Sequence, residues 1–253
     1  MKRVVPLFFL LSSLSAATQG SPSDTLIRGV KISFTYSRSI FPASWQAPPI
    51  SASGEQIDTK EIRRSLDIII RAIQKYPVAA LKNELTAVYF LKSLKFYDVG
   101  YGGTNSSDAL FLTNNGVDMG FTDLYMEQTF HHEYSSILYR RHPQWLDARS
   151  WLAANAPGFD YNDPENGVGA IRNNASSQEL DSNFCKKGFL TQYSQSSLEN
   201  DLNTFAQNLF SPSEGFWKLV DRYPKVRKKM KLLVQFYQQM DPVFTEEYFR
   251  KLK

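Results

Sequence analysis

The chain has few of the residues that bind metals or form cross-links. Its 253 residues include one cysteine, Cys185, and three histidines, His131, His132 and His142. A single cysteine excludes an intrachain disulfide framework, a cysteine zinc ribbon and a four-cysteine iron–sulfur site. Any histidine-rich metal site would have to use nearly all three of the imidazoles.

Long apolar runs are also scarce. The apolar run at residues 4–11 follows two basic residues and precedes a series of small ones, which is the pattern of a secretory signal peptide. It is too short to span a bilayer as a normal helix. We therefore expect residues 1–20 to be a signal peptide and residues 21–253 to form one secreted or periplasmic domain without a membrane span.

The chain lacks a strong charge of either sign. Removing residues 1–20 takes away two basic side chains and no acidic one, which leaves 27 basic and 25 acidic side chains and a net charge of +2. The basic run at residues 225–231 lies in a helical pattern and is typical of a solvated helix face. We expect no nucleic-acid partner, and the sequence does not indicate the oligomeric state.

Hydrophobic periodicity predicts an α+β fold. Asp58 with Glu61, and Ser196 with Glu199, have the spacing of helix capping boxes. Strand and helix come first, then two strands, then almost only helix, which predicts a small mixed sheet packed on helices and followed by a helical lobe. The predicted strands are residues 30–36, 86–96 and 109–113, and the main helices are 58–76, 123–139, 196–209, 223–240 and 245–252.

The helix predicted from residue 123 contains an incomplete metal motif, F-H-H-E-Y-S-S, at residues 130–136. In H-E-x-x-H, imidazoles at i and i+4 hold Zn²⁺ on one helix face and the glutamate acts as general base. Here the i+4 position is Ser136, whose neutral hydroxyl is a poor zinc ligand. His131 is about 100° around the helix from His132, and His142 follows the helix, so His132 is the one imidazole on this face.

Two other segments add to this motif. Residues 188–193 read G-F-L-T-Q-Y and residues 199–206 read E-N-D-L-N-T-F-A. Together they resemble the G-F-[VL]-[ST]-x-Y…E-D-F-A-E-[TS]-F-A segment of a family of zinc-binding metallopeptidases, which is similar to the catalytic domain of anthrax lethal factor. The loop 102–104 and the tail 223–237 also look like that family. The resemblance covers roughly residues 86–237.

The resemblance implies a gluzincin-type zincin with a degenerate H-E-x-x-S motif. In zincins, substrate pairs with a strand that lies just before the active-site helix, which here is residues 109–113. The second acidic position of the family's E-x-x-x-E pattern is Asn203 in this chain. Position by position, the resemblance assigns zinc binding to His132 and Glu199, proton transfer to Glu133, and oxyanion stabilisation to Tyr193. Ser136, which stands at the second histidine position, or a water would complete the zinc shell.

Structural interpretations of the same residues stay open. Glu199 is also the third helical residue of the predicted capping box, and Tyr193 could be an ordinary packed tyrosine. The sequence therefore supports two functions. One is a secreted zinc-dependent metallopeptidase that hydrolyses peptide bonds with a metal-activated water. The other is a catalytically inactive zincin-like protein that has lost zinc and binds a peptide or protein partner in the groove beside residues 109–113.

Overall fold

The computed structural model describes residues 24–161 and 167–252. The predicted signal peptide, residues 1–20, lies outside these ranges. Within the described residues, no helix combines the length and the hydrophobicity that a bilayer span requires.

The described residues contain one mixed sheet of seven strands. In spatial order, five of them run β1–β2–β4–β7–β6, while β3 and β5 each pair with β4. The neighbours β2, β4 and β7 are parallel, and β6 is antiparallel to β7. The bounds are β1 Thr25–Ile27, β2 Val30–Ser33, β3 Ser53–Gln56, β4 Ala87–Phe96, β5 Val99–Gly100, β6 Gly103–Asn105 and β7 Ala109–Thr113.

The strand predicted at residues 109–113 is confirmed as β7, but it is not the free edge of the sheet. All five of its residues are buried between β4 and β6. The edge strand on this side of the sheet is β6, and we call it the edge strand below. This corrects the expected position of the groove. Gly102 O accepts from Thr113 N, and Ser106 N donates to Ala109 O. Because an antiparallel strand points alternate residues at its partner, the backbone groups of Gly103 and Asn105 face away from β7.

Ten α-helices account for most of the remaining described residues. The α+β prediction is confirmed, with a mixed sheet first and a helical lobe after it. Each main predicted helix has a counterpart that ends within a few residues of the expected position. The bounds are α1 Thr59–Gln74, α2 Val78–Lys82, α3 Asp123–Arg141, α4 Ala148–Leu152, α5 Val168–Arg172, α6 Ser182–Cys185, α7 Leu198–Phe210, α8 Phe216–Arg222, α9 Pro224–Met240 and α10 Glu246–Lys251.

Neither predicted capping box forms. Asp58 stands at the N-cap of α1, but its side chain makes no capping bond and pairs with Lys92 instead. The cap of α7 is Ser197, which accepts from the backbone N–H of Asn200. The Ser196 hydroxyl instead donates to the carbonyl of Tyr193. Glu199 is therefore not held in the predicted capping box.

The helix α3 lies at the centre of the molecule. Its Met126, Phe130 and Ile137 join the main hydrophobic core, which contains residues from the sheet, α1, α7 and α9. A smaller core around Phe41 and Phe111 covers the other face of the sheet. Because α3 packs against both the edge strand and α7, its polar residues are held between these two elements.

Candidate functional site between the edge strand, α3 and α7

A cleft of about 240 Å³ opens beside the edge strand and α3. Three of the five predicted site residues line it, namely His132, Glu133 and Tyr193, whereas Ser136 and Glu199 do not. The wall is rich in glycine, tyrosine and side-chain amides. The lining residues are Gly100, Tyr101, Gly102, Gly103, Tyr125, Gln128, Thr129, His132, Glu133, Ile171, Ser176, Gln178, Tyr193 and Gln207.

The edge strand lies directly against α3 because it carries glycine. A Cβ atom at Gly103 would come within 2.6 Å of Thr129 Cγ2 and 3.3 Å of Glu133 Cγ. Carbon atoms do not approach to 2.6 Å without displacing one another, so this close packing requires glycine. The strand and the Glu133 side chain consequently share one side of the cleft.

Among the side-chain contacts between α3 and α7, three pairs form a regular series, and we call these six residues the polar ladder. Successive members are four residues apart on each helix. The residue numbers rise along α3 and fall along α7 from one pair to the next, so the two helices pack antiparallel. At i, i+4 and i+8 the α3 members lie along one side of their helix, as do the α7 members. The pairs are His132 Nδ1 with Gln207 Oε1 at 2.8 Å, Asn203 Nδ2 donating to Ser136 Oγ at 2.6 Å, and Arg140 Nη1 donating to Glu199 Oε1 at 2.8 Å.

His132 is buried against the polar side of α7. Burial lowers the pKa of its imidazole, while the hydrogen bond with Gln207, the negative charge of Glu199 and the Asn200 amide partly oppose this effect. The Tyr193 ring is stacked beside it, with 6.1 Å between the ring centroids. The imidazole is therefore neutral at neutral pH. When Nδ1 donates to Gln207, Nε2 keeps its lone pair.

Glu133 has the properties of a proton acceptor or donor near neutral pH. Burial raises the pKa of its carboxyl to about 7, against the lowering effect of a hydrogen bond from Asn105 and the charge of Arg140. Asn105 Nδ2 donates to Glu133 Oε2 at 2.5 Å. A carboxyl that titrates near the ambient pH can both take up and release a proton.

Arg140 connects the edge strand to both helices. Its guanidinium donates to the side chain of Asn105 in β6, to the carbonyl of Ser106 at 3.1 Å, and to Glu199 at the start of α7. Glu133 is bonded to the same asparagine. Glu199 is thus held by a positive charge one helical turn beyond Ser136.

The other two histidines do not face the site, as the sequence predicted. His131 points into the core, where Nδ1 bonds the Tyr76 hydroxyl at 2.9 Å and the ring is stacked on Phe210. His142 bonds Glu84 at 2.9 Å and is stacked on Trp145. His132 is left as the one imidazole at the cleft.

These residues do not fit a catalytic Zn²⁺ ion. Such a site normally uses three nitrogen, sulfur or carboxylate ligands, and no three His, Cys, Asp or Glu side chains cluster in this way in the parts of the chain that the structure describes. The group opposite Ser136 is the Asn203 amide, and its Oδ1 is buried without a hydrogen-bond partner. An amide oxygen is a hard ligand that suits Mg²⁺ or Ca²⁺ better than Zn²⁺.

The fold itself has a known counterpart. The chain is similar in structure to a protein described as a putative zinc-binding metallo-peptidase from Bacteroides caccae. The TM-score is 0.52, the sequence identity is 14%, and 78% of each chain is covered. At this identity the similarity shows the fold alone. No family model matches the chain, and no curated protein sequence matches it.

Sequence reasoning missed the partners of the predicted residues. Asn105 and Arg140 belong to no catalytic motif, and Gln207 lies just after the segment 199–206 that resembles the family. One signal was available, because Asn203 and Gln207 repeat the i, i+4 spacing of His132 and Ser136. Metal binding by His132, Ser136 and Glu199 stays a prediction, as do the roles of Glu133 and Tyr193 in catalysis.

Proposed function

We propose that this chain is a zincin-fold protein that binds an extended peptide segment in its cleft without zinc-dependent hydrolysis. The edge strand supports the binding part of the proposal. The backbone groups of Gly103 and Asn105 face away from β7, and an unpaired strand edge can accept a peptide as an additional strand. Tyrosine rings and side-chain amides in the cleft supply apolar contact and hydrogen bonds for such a ligand.

One observation supports the loss of hydrolysis. The side chain that reaches Ser136 from α7 is the amide of Asn203, at 2.6 Å, and not a carboxylate. His132 is then the one nitrogen ligand in a setting of hydroxyl and amide groups. A catalytic zinc ion polarises its water because it is held by three good ligands with one position open, and this set is two ligands short.

A zinc peptidase is the second candidate. His132 and Glu133 both line the cleft, and the pKa of Glu133 near 7 would suit a general base. The structural neighbour from Bacteroides caccae is itself described as a zinc-binding metallo-peptidase. On this reading Glu199 would have to leave Arg140 to reach a metal shared with His132 and Ser136.

One assay separates the two candidates. A random-sequence library of quenched fluorescent peptides is titrated with the purified protein, with EDTA or with added zinc, and both binding and cleavage are measured. We expect saturable binding that EDTA does not change, and no cleavage in either condition. Gln178→Trp places a large ring in the cleft and should exclude the peptide. We expect binding to weaken at least about tenfold, which corresponds to 1.4 kcal/mol.

Gln144→Trp is the matched control. Gln144 is also exposed but does not line the cleft, so this variant should bind as the wild type does. Zinc-dependent cleavage that disappears in Glu133→Gln would establish the peptidase instead. Equal binding by the Gln178→Trp and wild-type proteins, or no binding at all, would reject the cleft as a peptide site.

A further inference from the structure

We infer that the α7 position facing a metal in this fold is Asn203, not Glu199, and that in this chain hydrogen bonds between α3 and α7 replace the metal as the link between these helices. The inference does not depend on peptide binding. It concerns what holds the junction together and which substitutions would make it bind zinc.

The contacts of α7 place Asn203 opposite the motif. Gln207, one turn after Asn203, hydrogen-bonds the His132 ring at 2.8 Å. Asn203 itself touches Ser136. A ligand from α7 shared by residues 132 and 136 would therefore extend from the turn that contacts them, and we place it at 203, opposite Ser136.

Glu199 contacts Arg140 instead, although its negative charge still acts on His132. It is one turn before Asn203, and its Oε1 receives a hydrogen bond from Arg140, which is itself one turn beyond Ser136. The E-x-x-x-E pattern of the resembling family therefore falls on Asn203 and Gln207 in the structure, with Phe205 and Ala206 between them as in E-D-F-A-E. Both acidic positions have become side-chain amides.

The hydrogen bonds between α3 and α7 fix the separation and register of the two helices, which a shared metal ion would otherwise fix. A metal held by two helices fixes their separation and register. Here the same register is fixed by the pairs His132 with Gln207 and Ser136 with Asn203, both buried. Buried hydrogen bonds of this kind set a unique packing because breaking one leaves an unpaired polar group.

The test on the native chain measures metal content and thermal unfolding. Purified protein is equilibrated with zinc at micromolar concentration, and bound metal is measured by elemental analysis. Tm is recorded with EDTA and with zinc. We expect less than one zinc per ten chains and the same Tm in both conditions. One zinc per chain with a Tm that falls in EDTA would overturn the inference, whether or not the protein binds peptides.

The variants test which position faces the metal. Ser136→His with Asn203→Glu should bind one zinc per chain and unfold several degrees higher with zinc than with EDTA, because a ligand bound to the native state stabilises it. Ser136→His alone should bind much less zinc and show a smaller rise in Tm with zinc. Adding Glu199→Gln to the double variant should leave the zinc content and the Tm difference between zinc and EDTA unchanged.

The opposite pattern would assign the position to Glu199. In that case Ser136→His alone would bind stoichiometric zinc, and Glu199→Gln would remove it. If the double variant folds poorly, Asn203→Ala still tests the hydrogen bonds. It leaves the Ser136 hydroxyl buried without its partner and should lower the Tm by about 2–4 °C or more, with or without zinc. An unchanged Tm in Asn203→Ala would contradict the structural role of this pair.

Discussion

At the scale of single residues, the direction of a side chain could be predicted from the sequence but its partner could not. Helical periodicity placed His131 and His132 on different faces, and the structure confirms this. Gln207 is 75 residues from His132, and no local pattern connects them. On α7 the metal-facing position that we infer, Asn203, is one turn from the predicted ligand Glu199, because the contact of Asn203 with Ser136 is visible only once the helices are packed.

Glu127 gives a residue-scale prediction for the pH dependence of stability. Burial raises the pKa of its carboxyl, but hydrogen bonds and charges from His131 and Lys75 together lower it to about 2 from an ordinary 4.5. Lys75 Nζ is 2.6 Å from Glu127 Oε1. Because the folded state favours the carboxylate, this contribution is complete above pH 4.5 and is lost as the pH falls towards 2.

We therefore expect wild type to exceed Glu127→Gln in free energy of unfolding at pH 6, and the difference to shrink by about 3 kcal/mol at most between pH 5 and pH 2. Urea unfolding of both proteins across this range measures it. Glu179 is exposed on the surface. The Glu179→Gln variant is therefore the control, and its free energy of unfolding should follow that of the wild type across the pH range. A difference that stays constant with pH would show that Glu127 is not held as a carboxylate.

At the scale of secondary-structure elements, long periodic segments were predictable and short or capped ones were not. The strand β7 and the helices α1, α3 and α9 begin within one or two residues of their predicted positions. The edge strand β6 was missed, because three residues that include a glycine have no strand pattern of their own. The first capping box was misassigned because Asp58 and Glu61 pair with Lys92 and Arg64, and the second because α7 is capped by Ser197 and not by Ser196.

The contact between β6 and α3 gives an element-scale prediction. Gly103→Ala should push the edge strand away from α3, since the new methyl group would meet Thr129 Cγ2 at 2.6 Å. Overpacking of this kind costs about 1–3 kcal/mol. Gly100→Ala is the matched control, because nothing lies within 4 Å of a Cβ there. Chemical denaturation of both variants measures the difference.

Thr129→Ser distinguishes a steric effect from a loss of backbone freedom. It removes the Cγ2 methyl and keeps the hydroxyl that donates to Tyr125 O at 2.8 Å. In the Gly103→Ala background it should restore most of the lost stability. If both alanine variants were equally destabilised, or if Thr129→Ser gave no recovery, close packing would not be the reason for glycine at 103.

At the scale of the whole molecule, the fold class was predictable but the arrangement of the sheet was not. The order of strands and helices indicated a mixed sheet followed by a helical lobe. It did not indicate that β7 is covered by a returning edge strand, because that pairing depends on the path of the loop between β4 and β7. The cleft therefore lies one strand further out than expected.

A buried ion pair gives a prediction for the helical lobe as a unit. Lys229 Nζ of α9 contacts Asp201 Oδ2 of α7 at 2.5 Å, and neither side chain is exposed. Trp151 Nε1 and the Tyr161 hydroxyl donate to the same oxygen. Lys229→Met should cost about 3–5 kcal/mol, because it leaves a carboxylate buried without its cation.

Removing both charges should cost less than removing one. In the double variant Lys229→Met with Asp201→Asn, the amide oxygen still accepts from Trp151 and Tyr161, and no uncompensated charge is buried. The free energies of unfolding of the single and double variants measure this coupling. A double variant that is less stable than Lys229→Met would show that the two residues stabilise the lobe by packing rather than as a pair.

The polar ladder also has an electrostatic consequence. A carboxylate at 203 or 207 without a cation would be a buried, unbalanced negative charge, which costs several kcal/mol. Serine, asparagine and glutamine at positions 136, 203 and 207 are neutral, and the one carboxylate of the ladder, Glu199, is balanced by Arg140. The junction is therefore electroneutral without an ion. A chain that lost its metal in evolution would have to lose its acidic ligands along with it, and the side chains at 203 and 207 in this sequence are amides.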